Sequence, residues 1–178
     1  MDFPNQQHPL LNMSSSNDPD NNEIEMKFKS IFLFNAVHDV LQAMAGISMN
    51  EVKVESVKDV HFTESCVSTV YFMNGPKNAM LIVSIPTAQA YTLVSAFTRI
   101  PVSELRPDNI SDAVDEITNM ISGKIKAQLS PLGYQYTNSH CFSIYGKEYF
   151  ILHKSKLKNI AKKYKGGTLE LVLRILFI

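Results

Sequence analysis

Residues 110–129 read ISDAVDEITNMISGKIKAQL, and their pattern predicts the longest helix of the chain. At about 100° per residue, one side of this helix is apolar. The apolar residues are Ile110, Ala113, Val114, Ile117, Ile121 and Ile125. Asn109 is predicted to cap the helix N-terminus, with Asp112 supporting it three positions on. The segment Ser130-Pro131-Leu132-Gly133 is predicted to end the helix.

The opposite side of this helix carries a polar row formed by Asp112, Glu116, Asn119 and Gly123. Glu116 and Asn119 are neighbours one turn apart, so their side chains project together. Gly123 is unusual, because glycine inside a helix costs about 1 kcal/mol relative to alanine. One reason to keep it is that a missing side chain lets another backbone approach. The alternative interpretation is that the polar row is simply the solvated face of a surface helix.

The rest of the chain predicts an α+β fold of two layers, with long helices packed on a largely antiparallel sheet. An opening amphipathic helix is expected to end at Gly46, and a short helix at residues 87–97 follows a central strand at 79–85. Further strands are predicted at 51–60, 66–73, part of 134–145, 148–153 and 168–178.

Composition indicates one globular domain, since 45% of the residues are hydrophobic and 19% are charged. Residues 1–25 hold five acidic residues and no basic one, which predicts a disordered acidic tail before a single domain at 26–178. The 17 basic and 17 acidic residues cancel, so no overall charge attracts nucleic acid or a membrane. No apolar run approaches the ~20 residues of a membrane helix, and no secretory signal is present. A cytoplasmic location is therefore expected.

The cysteine and histidine residues predict no metal site. Cys66 and Cys141 lie far apart without a partner motif, so neither a disulfide framework nor a zinc site is expected. His140 and Cys141 are adjacent, but neighbours on a strand point to opposite faces and could not serve one site. The sequence also lacks a glycine-rich phosphate loop and a serine nucleophile elbow, which disfavours nucleotide hydrolases.

The helix sequence resembles the signature of the CheC, CheX and FliY phosphatases of bacterial chemotaxis. Their active helix carries Glu-x-x-Asn in the context Ala-x-x-Glu-x-x-Asn-x-x-x-Gly, and Ala113, Glu116, Asn119 and Gly123 fill those positions. The order of elements over residues 27–178 also matches the CheC-like fold. The chain departs from the family at Thr98-Arg99-Ile100-Pro101, where a glycine-rich turn is common, and in its acidic tail.

The number of motifs favours the CheX subgroup. CheC-like members carry two copies of the motif, whereas CheX-like members carry one and pair as homodimers. The present chain has one copy, with only an echo at Asp39 and Gln42, where glutamate and asparagine would stand in a second site. We therefore expect a CheX-type protein that forms a homodimer.

The resemblance implies a substrate and a role for each motif residue. The substrate would be the aspartyl phosphate of a CheY-like response-regulator receiver domain, which the protein would hydrolyse. Asn119 would position the attacking water, and Glu116 would pair with a lysine of the receiver domain. Asp112, Met120 and Gly123 are expected to contact that partner. No cofactor of its own is expected, and Mg²⁺ would be held by the receiver domain.

Two segments near the C-terminus allow alternative interpretations. Residues 147–174 hold eight basic and two acidic residues, for which we expect a solvated loop in preference to nucleic-acid binding. The apolar residues 169–178 are too few for a membrane anchor and predict a strand that, if its sheet edge were open, a homodimer would close. The rival to the enzyme is a noncatalytic binding or dimerisation module in a signalling or flagellar switch complex.

Overall fold

A computed structural model describes residues 23, 26, 32–54, 62, 64–146 and 159–178 of the chain, with side chains from Ala36 onward in the first helix. Its helices are α1 (Phe32–Ala45), α2 (Thr87–Thr98) and α3 (Pro107–Leu129). Its strands are β1 (Asn50–Val52), β2 (Cys66–Asn74), β3 (Ala79–Pro86), β4 (Thr137–Gly146), β5 (Asn159–Gly166) and β6 (Leu169–Phe177). These elements form the predicted α+β fold.

The six described strands form one sheet in the order β1-β5-β6-β3-β2-β4. All five described strand pairings are antiparallel. Helices α1, α2 and α3 pack on one face of this sheet, where a core of buried aliphatic and aromatic side chains lies between the layers. A smaller apolar cluster, formed by Val70, Ile82 and Leu176, is separate from this main core. Strand β3 lies between β6 and β2, which confirms its predicted central place.

The helix boundaries are close to those predicted, with one correction at the start of α3. The helix begins at Pro107, three residues before the predicted start, and Arg106 occupies the cap position. Asn109 is therefore not the cap. It lies in the first turn, and its side-chain oxygen accepts a hydrogen bond of 3.1 Å from the Arg106 backbone N–H. Proline suits the first helical position because its missing N–H would lack a partner there.

The C-terminal half corrects two expectations about strands. Residues 159–166, which fall within the segment expected to be a solvated loop, form β5. Strand β6 is an interior strand paired with β3 and β5, so it leaves no open edge for a second chain. The outermost strands of the described sheet are β1 and β4.

Several predicted segments lie outside the described residues, namely the tail at 1–25 apart from Glu23, the strand at 148–153 and the second half of the strand at 51–60. In the described part of the strand predicted at 51–60, the observed strand β1 is only three residues long.

The turn after α2 has no glycine, in contrast to the glycine-rich turn that is common in the family that the sequence resembles. Arg99 ends the helix with a φ of 64°, and its N–H bonds to the Ser95 carbonyl at 2.9 Å. This left-handed conformation is one that glycine adopts more easily than residues with a side chain. The turn therefore lacks the glycine but keeps the left-handed backbone conformation that glycine favours, with Arg99 in that place.

Candidate functional site

The N-terminal end of α3 is fixed to the sheet by a tyrosine from β4. The Tyr145 hydroxyl donates a hydrogen bond of 2.8 Å to the Pro107 carbonyl. Burial raises the pKa of Tyr145, so the hydroxyl keeps its proton and remains a donor at neutral pH. Next to this contact, the exposed Arg106 and Asp108 side chains form an ion pair of 2.9 Å. The start of the helix is thus held mainly by the strand, since an ion pair this exposed contributes only about 0–1 kcal/mol.

The apolar side of α3 faces the sheet as predicted. The residues Ile110, Ala113, Val114, Ile117, Ile121 and Ile125 are all buried. Burying an aliphatic side chain of this size contributes roughly 1.5–3 kcal/mol relative to leaving it in water. This apolar contact holds α3 on the sheet and leaves its opposite side outward.

The polar row lies on that outward side of α3. Asp112, Glu116 and Asn119 are exposed, and Gly123 is partly exposed. Met120, the remaining residue predicted to contact a partner, is half-buried and packs against the main core. The structure therefore brings the predicted carboxylate and carboxamide together at the surface, with Met120 at the border between the row and the core.

Gly123 has open space where a side chain would stand. A Cβ atom built there meets no atom within 4 Å, so no described part of the chain approaches this position closely. Among the described residues, therefore, no backbone makes the close approach that a glycine would allow. Glycine at this position therefore leaves a bare patch of helix beside Asn119.

One further carboxylate on α3, that of Asp115, was not predicted from the sequence to have any role. Asp115 is half-buried, and its Oδ1 accepts hydrogen bonds from Thr69 at 2.7 Å and Ser143 at 2.6 Å. Its Oδ2 accepts from the Cys141 thiol at 3.6 Å, and its backbone carbonyl accepts from the Tyr71 hydroxyl at 3.4 Å. We call these five residues the Asp115 cluster. Nothing local in the sequence marks Asp115, because its partners come from β2 and β4.

The echo of the motif on α1 is engaged within the chain. Asp39 is exposed and pairs with Lys124 of α3 at 3.0 Å. Gln42 is also exposed, and its side-chain oxygen accepts a hydrogen bond from the Ser48 hydroxyl. Both side chains of the echo therefore have partners in their own chain.

The cysteines and the potential metal ligands of the described residues do not form a cluster. No group of three or more His, Cys, Asp or Glu side chains there could hold a metal ion. Both cysteines are free, Cys66 buried and Cys141 half-buried. His140 is exposed while Cys141 contacts Asp115, which agrees with their predicted opposite directions on β4. Among the described helices, none is long and apolar enough to cross a membrane.

The basic segment near the C-terminus is largely neutralised where the structure describes it. Lys162 pairs with Glu51 on the neighbouring β1, and Lys163 and Lys165 both pair with Glu170 on β6. Lysines held in cross-strand ion pairs do not form a free basic surface for a phosphate backbone. The described lysines of this segment thus form ion pairs between neighbouring strands of the sheet.

A cleft of about 700 Å³ lies away from the polar row. It is bordered by the loop after α1, by the first turns of α2 and by the β5–β6 turn, including Ser48, Gln89 and Thr168. No residue of α3 lines it, so it is separate from the candidate site.

Glu116 and Asn119 define what the surface of α3 can do chemically. A carboxylate can pair with a cation, while a carboxamide can both accept and donate hydrogen bonds and stays neutral. Both project from a helix held by an apolar face and by polar contacts to two strands. This arrangement can enter a pocket of another molecule, but it encloses no substrate of its own.

The fold is shared with solved chemotaxis proteins. A CheC-like superfamily protein from Shewanella sp. PV-4 matches with a TM-score of 0.71 and 23% identity, over 83% of this chain and 95% of that chain. The chemotaxis protein CheX from Desulfovibrio desulfuricans matches with a TM-score of 0.67 and 26% identity, over 82% and 96%. The CheX–CheY–BeF3–Mg²⁺ complex from Borrelia burgdorferi matches with a TM-score of 0.65 and 15% identity, over 82% and 94%. None of the curated proteins compared with the chain matches it.

The sequence itself matches a family as well as a fold. The model of the family described as "Chemotaxis phosphatase CheX" matches residues 67–161, which include β3, α2, α3, β4 and all of β2 except Cys66. The polar row lies inside this range. Since the match spans more than half of the 178 residues, the chain belongs to the CheX family of chemotaxis phosphatases.

Proposed function

We propose that this protein hydrolyses the aspartyl phosphate of a CheY-like receiver domain, with Asn119 and Glu116 as its catalytic residues. The observation that carries the proposal is the joint exposure of these two side chains on α3 in a chain of the CheX family. The solvated-face interpretation explains why they are polar, but it does not explain the bare helix surface at Gly123 beside them.

Asn119 positions the attacking water. Phosphoryl transfer passes through a loose transition state, so the water needs correct placement more than it needs a strong base. The side-chain carbonyl of Asn119 accepts a hydrogen bond from this water, and its NH₂ group orients a nearby oxygen. A neutral amide does not repel an anionic phosphoryl group, as a carboxylate in the same place would.

Glu116 anchors the partner by pairing with a lysine of the receiver domain. An exposed ion pair contributes only about 0–1 kcal/mol, whereas a close pair inside an interface can couple by about 1.5–7 kcal/mol. Most of the stabilisation therefore arises in the docked complex. Because Glu116 lies one turn before Asn119, this anchor also sets where the amide meets the phosphoryl group.

Asp112, Met120 and Gly123 complete the docking surface. Asp112 extends the acidic end of the polar row, Met120 offers the exposed part of an apolar side chain, and Gly123 lets the partner approach the helix closely. The complex of CheX with CheY, BeF3 and Mg²⁺ from Borrelia burgdorferi supports a partner of this class. Any Mg²⁺ that the reaction needs would be held by the receiver domain, and no metal is assigned to the present chain.

The assembly is proposed to be a homodimer, on the basis of the single motif, and its location is proposed to be the cytoplasm. Strand β6 lies between β5 and β3, so it offers no open edge through which a second chain could pair. Light scattering of the purified protein measures its molar mass and therefore its oligomeric state. A mass near twice 20.0 kDa agrees with a dimer, and a monomer mass contradicts it.

The test of the proposed function is the decay of phosphorylated receiver domains from the same organism, each measured with and without the purified protein. Acceleration of at least one receiver domain in the panel is expected. Binding without acceleration would favour the noncatalytic module in a signalling or switch complex. If the protein neither bound any receiver domain in the full panel nor accelerated its decay, that result would contradict both proposals.

A further inference from the structure

We propose that Asp115 is a positioning residue that fixes the rotation of α3 about its own axis, and thereby the placement of Glu116 and Asn119. The consequence for catalysis rests on the proposed function. The structural part of the inference rests on the Asp115 cluster alone.

The cluster is built from two cross-strand pairs of one sheet. Thr69 of β2 lies opposite Ser143 of β4, and Tyr71 lies opposite Cys141. All four side chains donate to Asp115, three of them to its carboxylate and Tyr71 to its backbone carbonyl. One residue of α3 is thus hydrogen-bonded to two strands at two successive levels.

The donors are buried enough to keep their hydrogen bonds. Thr69 and Tyr71 are buried, while Ser143 and Cys141 are half-buried. Burial, reinforced by a hydrogen bond with Cys141, raises the pKa of Tyr71 far above its usual range, so its hydroxyl stays protonated. Hydrogen bonds to an ionised carboxylate are also shorter and stronger than those between neutral groups.

Directional contacts of this kind can fix a rotation that apolar packing leaves loose. Burial of the isoleucines holds α3 on the sheet, but the hydrophobic effect has no preferred direction. Hydrogen bonds, in contrast, weaken steeply when they bend. The Asp115 carboxylate, held by Thr69 and Ser143 at 2.7 and 2.6 Å, therefore limits how far the helix can turn.

A small rotation would be enough to affect the reaction. With a helix diameter of about 10–12 Å including side chains, a turn of about 10° moves an atom at its surface by about 1 Å. A misplacement of about 1 Å can slow a positioned reaction by about 10²-fold. Asn119 has a short side chain and must follow the helix, whereas the longer Glu116 can adjust to reach its partner. Loss of the cluster should therefore lower kcat more than it raises KM.

The first test compares Asp115→Ala with Asp115→Asn in the full-length protein. Asp115→Ala is expected to lower kcat for dephosphorylation by about 10–100-fold, with KM for the phosphorylated receiver domain within about 3-fold of the parent value. Asp115→Asn keeps an oxygen that can accept from Thr69 and Ser143, so it should restore kcat to within about 3-fold. The matched control is Asp108→Ala, which removes an exposed carboxylate from the same helix and should leave both constants within about 2-fold.

A second test removes the donors instead of the acceptor. The double variant Thr69→Val with Ser143→Ala should lower kcat as Asp115→Ala does, and adding Asp115→Ala to it should change kcat little further. Such non-additivity is expected only of residues that act as one unit. Ser143→Ala alone removes one donor and serves as the milder variant if the others do not fold.

The rotation of α3 about its own axis is measured by residual dipolar couplings of its Cα–Hα bonds, which stand at a large angle to the helix axis, because the amide N–H bonds lie nearly along that axis and barely report such a rotation. Asp115→Ala should change these couplings relative to those of the sheet, while Asp108→Ala should not. If the parent protein dephosphorylates no receiver domain, the proposed function fails, and this measurement still decides the structural inference. Unchanged couplings in Asp115→Ala, or an unchanged kcat in an active protein, would overturn the role of Asp115.

Discussion

Lys124 Nζ lies 3.0 Å from Asp39 Oδ2, an ion pair that joins α3 to α1 one residue after the bare helix surface at Gly123. Both side chains are about half exposed, at 50% and 46%. The pair ties the echo of the motif to the helix that carries the complete motif. Asp39 is therefore directed toward its own chain and not toward a docking partner.

The double variant Asp39→Ala with Gln42→Ala should dephosphorylate a receiver domain at a rate within about 2-fold of the parent protein. Asp39 is paired with Lys124 and Gln42 with Ser48, so neither is free to position a water. Loss of an exposed ion pair should cost only about 0–1 kcal/mol of unfolding free energy. A rate loss comparable to that of Asn119→Ala would instead identify the echo as a second site.

Gly123→Ala should make the protein more stable and its docking weaker. Alanine is favoured over glycine inside a helix by about 1 kcal/mol, and a Cβ at this position meets no atom of the described residues within 4 Å. Denaturant unfolding measures the gain, and titration with a beryllofluoride-activated receiver domain measures the affinity. Gly123→Leu tests the cause, because leucine has nearly the helix propensity of alanine but obstructs a partner more. Unchanged affinity in both variants would remove Gly123 from the docking surface.

The stabilisation that Glu170 contributes to the fold should be lost in acid. A hydrogen bond from Lys163, with further help from Lys165, lowers the pKa of this carboxyl below its ordinary value of 4.5. Because the folded-state pKa is depressed, the stabilisation is fully present above the unfolded-state pKa and is lost as the pH falls through the folded-state pKa. Unfolding free energy measured from about pH 6 to pH 3 should therefore fall more steeply for the parent protein than for Glu170→Gln.

The control for this acid dependence is Glu104→Gln, which neutralises an exposed carboxylate in the short turn at Val102–Glu104. Its stability curve should remain parallel to that of the parent protein. A parallel curve for Glu170→Gln as well would show that the Lys163 pair contributes nothing measurable.

Local patterns were enough to predict the helix that carries the polar row. The spacing of its isoleucines specified which side is buried, and the polar row fell opposite them as expected. The start was misplaced because Asn109 is a strong capping residue, whereas Pro107 fits the first helical position and Asn109 supports the turn from within. Errors of this kind come from choosing between two valid local signals.

Long-range pairing is what the sequence alone could not reveal. Strand β5 carries Lys162, Lys163 and Lys165, and so many lysines in a short segment are typical of a solvated loop. Their partners Glu51 and Glu170 lie on other strands and come close only when the sheet forms. The interior position of β6 depends on strand order, which no local pattern specifies. Asp115 was likewise missed, because its partners are brought to it only when β2 and β4 pair.

The central claim is that Asn119 positions the water that attacks the phosphoryl group, and the decay of a phosphorylated receiver domain tests it most directly. Saturating amounts of parent protein, Asn119→Ala and Glu116→Ala are compared in one assay, with receiver binding measured in parallel. Asn119→Ala should bind almost normally but slow the stimulated decay by at least about 10²-fold, equivalent to about 2.7 kcal/mol. Glu116→Ala should weaken both binding and decay. Decay rates for both variants equal to that of the parent protein would contradict the account.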